Sequence, residues 1–167
     1  APPPGYLEGL ERLCRERGSL LVFDEVQTGL GRLGEPTAAL AYGVRPHILT
    51  FAKGLGAGVP VGAIVVEQGL GAKLKSGDLG STFGGGPLAC AAVAATVGTL
   101  ARERLWESAA RAEALFRDAT AFPPRLEFRG RGLLLGLVFD RPAKDVQAAL
   151  LQRHILTGTS RTLGSCA

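Results

Sequence analysis

No apolar run among the 167 residues reaches the length of a membrane-spanning helix, and the N-terminus has no charged segment leading into an apolar core. The sequence therefore predicts neither a bilayer span nor an export signal. Cysteine is scarce: Cys14, Cys90 and Cys166 are an odd number in no C-x-x-C spacing, which argues against a disulfide framework or a zinc site and fits reduced thiols in a cytoplasmic protein. Histidine is scarcer. His47 and His154 each stand alone, and a lone histidine at the start of a strand reads as a surface or capping residue, so neither is assigned a catalytic or metal-binding role. The formal net charge of +4 invites a nucleic-acid reading, but the arginines are scattered along predicted helices and loops and form no basic stripe interleaved with aromatics. The charge is read as a solvated surface. There is no initiator methionine, and the opening Ala-Pro-Pro-Pro-Gly is an extended, linker-like start of the kind found inside a longer chain.

What is present is organised around two apolar stretches. Leu20 to Phe23 run straight into Asp24-Glu25, which reads as a fully buried strand delivering a carboxylate to its C-terminal end. Ile48 to Ala52 repeat the design and end on Lys53, followed by glycines. In open parallel sheets that end of the strands is where ligands bind, so two neighbouring parallel strands would present an acid and an amine to one crevice. A partly desolvated lysine at a strand end can act as a nucleophilic amine toward an aldehyde. An aspartate that stays ionised can hold a proton on a heteroaromatic nitrogen. Together these are what pyridoxal phosphate requires, a Schiff-base lysine and an acidic partner for its pyridinium. Two other readings compete with this one. An apolar strand ending in Asp-Glu also resembles the Mg-binding strand of P-loop ATPases, but G-x-x-x-x-G-K-[ST] is absent. The glycines after Lys53, namely Gly54, Gly56, Gly58 and Gly62, miss the G-x-G-x-x-G spacing of a dinucleotide site.

Three motifs occur in order: D-E-V-Q-T-G-x-G-R from Asp24, A-K-G-L-G-x-G-x-P-x-G from Ala52, and G-S-T-F-G-G-x-P-L-A-C from Gly80. Over about Tyr6 to Ser160 the chain resembles the class III pyridoxal-phosphate aminotransferases, and within them the acetylornithine branch, including enzymes acting on carrier-linked lysine or ornithine precursors. The resemblance implies an α/β fold of fold type I. Residues 1–100 would be the later part of the large cofactor domain, with a mostly parallel sheet, and residues 101–167 part of the small C-terminal α+β domain. It also implies roles residue by residue. Lys53 carries the cofactor as an aldimine, Asp24 meets the pyridine nitrogen, Val26 packs on a ring face and Gln27 contacts the ring hydroxyl. Thr82 reaches the cofactor phosphate of the partner subunit across a homodimer interface, and Ser81 lies near the substrate. The chain departs from the family at Gly86, where asparagine is usual, and at His47, where aspartate is more frequent. Family members continue beyond Gly158 to Ser160 into a strand bearing a substrate-gripping arginine. This chain reads RTLGSCA instead, and that role is not carried onto Arg161. The resemblance thus implies a partial chain, such as a frameshifted or truncated gene product.

The remaining elements follow from periodicity and punctuation. Leu7, Leu10, Leu13 and Cys14 predict an amphipathic helix over Tyr6 to Arg17 with Gly18 as its C-terminal cap, and Pro36 to Tyr42 a short helix ended by Gly43. Val61 to Val66 reads as a third strand, which in the family lies antiparallel beside the lysine strand. Pro87 opens an alanine-rich helix over Leu88 to Leu100, and a charged helix follows from about Glu103 to Ala121, ended by Pro123-Pro124. Strands over Arg125 to Phe128 and Leu133 to Phe139 and a helix from Pro142 to about His154 complete an αββα unit like the family's small domain. The expected function is transfer of an amino group between an ω-amino compound and 2-oxoglutarate, with ornithine and 4-aminobutyrate transamination as further candidates. A non-catalytic remnant is the reading from a different class.

Overall fold

The structure is a computed structural model that describes residues 1–120 and 127–159. Helix α1, Tyr6–Arg17, ends where expected, at Gly18 in the left-handed region (φ 64°), whose N–H and that of Ser19 bond back to Arg15 and Cys14. Its apolar face is only half-buried, with Leu13 48 % exposed. A polar clasp adds to the docking: Glu11 accepts the Arg45 N–H and pairs with Arg15, which donates in turn to the Arg45 carbonyl. The Arg45 N–H, seconded by Arg15 against the opposing effect of desolvation, holds the Glu11 carboxyl below its ordinary value.

Strand β1, Val22–Asp24, pairs in parallel with β2, Ile48–Phe51, in the register Val22 to Ile48, Phe23 to Leu49 and Asp24 to Thr50. Strand β3, Ala63–Val66, lies antiparallel on the other side of β2, so the order is β1-β2-β3. Neighbourhood and direction are those the sequence led us to expect. Burial is not. Leu21 is buried, but Val22 is 50 % exposed, and Leu20, Ile64 and Val65 are also exposed. The reason is the sheet's width: β1 and β3 are both edge strands, and apolar runs of the fully buried type need neighbours and cover that these strands do not have among the described residues.

Short helix α2, Ala38–Ala41, lies within the segment read as a helix, and α3, Gln68–Gly71, was not anticipated from sequence. Helix α4, Pro87–Glu103, begins with its proline in the first turn, where no N–H is needed. Helix α5, Leu105–Ala119, is set off from it by Arg104 in the left-handed region (φ 48°). Strands β4, Glu127–Arg131, and β5, Leu134–Val138, form an antiparallel hairpin, and α6, Ala143–Leu151, is shorter than the segment predicted for it. The expected stops at Pro123-Pro124 and the strand start at Arg125 lie outside the described residues.

The hairpin matters to the site because it pins the glycine loop that follows β1. Leu133 N–H donates to the Arg32 carbonyl (2.8 Å), Arg131 donates to the Ala41 carbonyl (2.6 Å), and Phe128 packs edge-on against Phe116 of α5. Gly31 (φ 86°) and Gly34 (φ 83°) let that loop lie against α5. A Cβ at either would come within 3.3 Å of Trp106 Cα or Ala110 Cβ, respectively.

His47, to which sequence reasoning assigned no role, links β1 to β2. Its Nδ1 accepts the Leu21 N–H at 2.8 Å while its own N–H donates to the Leu21 carbonyl, so the ring carries its proton on Nε2. An aspartate oxygen could accept the same N–H, which gives a physical reason for either residue type here. His47→Phe leaves the half-buried Leu21 N–H without an acceptor and should cost about 1–3 kcal/mol. His47→Asn keeps a carbonyl acceptor and should lose less, as read from urea midpoints. Equal losses would refute the acceptor role.

Candidate active site

Asp24 ends β1, and Lys53 follows β2 by two residues, opening a 3-10 turn over Lys53–Gly56. Since Asp24 lies opposite Thr50, Lys53 stands three positions beyond the aspartate's partner, about 10 Å along the strand direction at the usual rise per residue. Acid and amine thus share the C-terminal end of two adjacent parallel strands.

Asp24 is exposed, and its Oδ1 accepts both the Val26 N–H (3.0 Å) and the Thr50 hydroxyl (3.1 Å). Both of these bonds fall on one oxygen, which leaves Oδ2 able to take a further donor. Lys53 is exposed too. The partial desolvation expected from sequence is absent among the described residues, for the same reason that Val22 is exposed: nothing covers this end of a sheet whose first strand is an edge. The backbone of Lys53 is unusual, with φ at 52° in the left-handed region that side chains bearing a Cβ avoid.

A cavity of about 890 Å³ opens in front of the lysine, its walls including Val26, Gln27, Leu30, Lys53, Ala57 and Thr96. Leu30 (φ 56°) and Ala57 (φ 48°) are left-handed like Lys53, so strained backbone is concentrated on this wall. Such strain persists only where surrounding structure enforces it, and it clusters at ligand sites. Val26, Gln27 and Lys53 are therefore brought together. Asp24 borders a second, apolar hollow of about 380 Å³ with Leu7, Leu10, Leu21 and Tyr42.

Ser81 and Thr82 line neither cavity. They sit on an exposed loop before α4, where the Ser81 hydroxyl accepts the Gly84 N–H (3.0 Å) and Phe83 is 92 % exposed. Gly86, the departure noted from sequence, is the residue preceding α4 and supplies no side-chain cap to it.

Sequence reasoning passed over Glu25, which is 2 % exposed and accepts hydrogen bonds from the Thr28 hydroxyl and from the Ala38 and Ala39 N–H groups. The available signal was the pairing of a carboxylate next to an apolar strand with a short helix nearby whose first N–H groups need acceptors. The left-handed backbones of Leu30 and Ala57 had no signal, because neither residue type favours that region.

Residues 1–162 match the family described as Aminotransferase class-III. The acetylornithine aminotransferase of Methanopyrus kandleri is 47 % identical over 138 residues, covering 81 % of this chain and 36 % of its own length. Acetylornithine aminotransferase 1 of Bordetella pertussis is 39 % identical over 161 residues, covering 93 % and 41 %. An ornithine aminotransferase structure from Toxoplasma gondii, with pyridoxal phosphate at partial occupancy in its active site, superposes with a TM-score of 0.86 at 40 % identity, over 96 % of this chain and 40 % of that one. The chain thus spans about two fifths of the length of the relatives it matches. With the acid and lysine strands adjacent and parallel, and with this similarity in sequence and fold, the chain belongs to the class-III aminotransferases and carries part of their fold-type-I architecture.

Proposed function

We propose that these residues belong to an enzyme that moves an amino group between an ω-amino compound, of the acetylornithine or carrier-linked lysine or ornithine kind, and 2-oxoglutarate. The observation that carries the reading is Lys53, a primary amine held in a left-handed conformation at the strand end next to the one bearing Asp24. The names of the relatives support the substrate class, and ornithine remains the nearest alternative donor. The residue set fits pyridoxal phosphate: an amine for its aldehyde, a carboxylate with Oδ2 open to a ring N–H, and Val26 and Gln27 on the cavity wall beside the amine. When bound, that group supplies an electron sink for the bond broken at the substrate carbon.

The rest is done by this chain's own residues. Lys53 Nζ would hold the cofactor and would accept and return the proton of the substrate carbon. Asp24 Oδ2 keeps the ring nitrogen protonated. Val26 packs on a ring face and Gln27 bonds the ring hydroxyl. Ser81 serves the substrate and Thr82 the phosphate held by a second subunit, a reading supported by the outward exposure of their loop. The same reading divides the chain near residue 100, with the left-handed break at Arg104 between α4 and α5 as support.

Lys53→Ala in a full-length context should abolish the yellow protein-bound chromophore and most turnover. Borohydride trapping should mark Lys53; an adduct mapped to Lys73, Lys75 or Lys144 instead would sink the assignment. Asp24→Asn should retain cofactor while slowing turnover. A charge-assisted hydrogen bond is worth about 1.5–3 kcal/mol, and each 1.4 kcal/mol in the barrier is about tenfold in rate. Unchanged turnover would remove Asp24 from the mechanism. Residues 1–167 alone should not transaminate N-acetylornithine or ornithine with 2-oxoglutarate, because Asp24 and Lys53 are both exposed at the end of a sheet whose first strand is an edge. Substantial turnover with a stable chromophore would show that the site is complete within them.

A further inference from the structure

Beyond the cofactor contacts, Glu25 is a fully buried ionisable side chain placed between Asp24 and the Val26-Gln27 pair. Its hydrogen bonds run in both directions from that position. The backbone N–H donates to the Thr50 carbonyl on β2 (2.9 Å), and the carbonyl accepts the Gly29 N–H (2.9 Å), closing a single turn over Val26, Gln27 and Thr28. The side chain leaves the turn and reaches α2: Oε2 accepts from the Thr28 hydroxyl (2.7 Å) and the Ala38 N–H (2.9 Å), and Oε1 from the Ala39 N–H (2.9 Å). Gly29, at the end of the turn, has no room for a side chain, since a Cβ there would lie 2.8 Å from Phe51 Cε1 and 2.9 Å from the Glu25 carbonyl.

Capping alone does not account for this investment. Helix α2 has only four residues, and Thr37 already accepts the Leu40 N–H. Burying a carboxylate is costly unless its oxygens are satisfied, and here three donors from two segments converge on it. We propose that Glu25 is a positioning residue, a brace that fixes the turn carrying Val26 and Gln27 against α2 so that both face the cavity in front of Lys53. The proposal rests on the functional reading above and extends it from the residues that would touch the cofactor to the one that aims them.

The chemistry demands a carboxylate of this length. Aspartate is one methylene too short to span from the turn to α2. Glutamine offers one acceptor oxygen and an NH₂ group, and in either flip the NH₂ meets a backbone N–H, that of Ala38 or of Ala39, which also donates. Glu25→Gln therefore leaves at least one buried N–H of α2 facing a donor, which weakens the brace with almost no change of volume.

The test is made in a full-length context, comparing Glu25→Gln with Val44→Ala, a buried position outside the turn whose N–H bonds the Ala39 carbonyl, chosen to match the loss of Tm. Amide exchange at Val26, Gly29, Ala38 and Ala39 should accelerate about tenfold or more in Glu25→Gln, and at Val26 and Gly29 it should stay unchanged in Val44→Ala. The Kd for added pyridoxal phosphate should rise about tenfold, with a displaced absorbance maximum, while Val44→Ala keeps both. If Glu25→Gln does not fold, Thr28→Val removes one of the three donors and leaves the backbone bonds. It should still raise exchange at Val26 and Gly29 about threefold. Unchanged exchange at those two residues, or equal effects of Glu25→Gln and Val44→Ala, would overturn the brace. Exchange needs no cofactor, so a wild-type protein that fails to take up pyridoxal phosphate would refute the functional reading and leave the brace to be decided by exchange alone.

Discussion

The parallel pairing of β1 with β2 is the constraint on which the rest depends. Parallel neighbours end on the same side, so a carboxylate closing one and an amine following the other must share a face of the sheet. Every later feature serves to keep that juxtaposition in register. His47 Nδ1 stands in as an acceptor at the start of β1, the Glu25 N–H continues the ladder past its end to Thr50, and the Thr50 hydroxyl bonds Asp24 itself.

Around this pair the chain concentrates what is costly. Three non-glycine residues on the cavity wall, Leu30, Lys53 and Ala57, hold left-handed backbones, a conformation costing of order 1–3 kcal/mol each. Glu25 adds a buried carboxylate. These are affordable because the glycine loop after β1 is clamped from three sides, by Phe51 of the sheet, by Trp106 and Ala110 of α5, and by the β4–β5 hairpin through Leu133. The rigid parts of the fold thus hold the strained parts, and the strained parts line the cavity.

The exposed apolar surface belongs to the same picture. Val22, Ile64 and Val65 lie on edge strands, and Phe83 and Leu88 flank the start of α4. Surfaces of this kind mark contacts with further protein. They accord with a chain that spans about two fifths of its relatives' length.

The sequence by itself determined the three strands around the site, their acid and amine ends, the helix stop at Gly18 and the helix start at Pro87, and the family. Each of these is encoded in local residue order, through an apolar run meeting a charge, a glycine supplying positive φ or a proline opening a helix. Tertiary structure alone decided the exposure of Val22 and Lys53 and the work of His47 and Glu25. Exposure depends on what lies across a sheet edge, which no run of β1 residues records. A hydrogen bond from Ala39 to Glu25, or from Leu21 to His47, spans a separation in sequence that only folding closes. Leu30 and Ala57 are the extreme case, because their residue types oppose the conformation they adopt, and only the packing around the cavity holds them there.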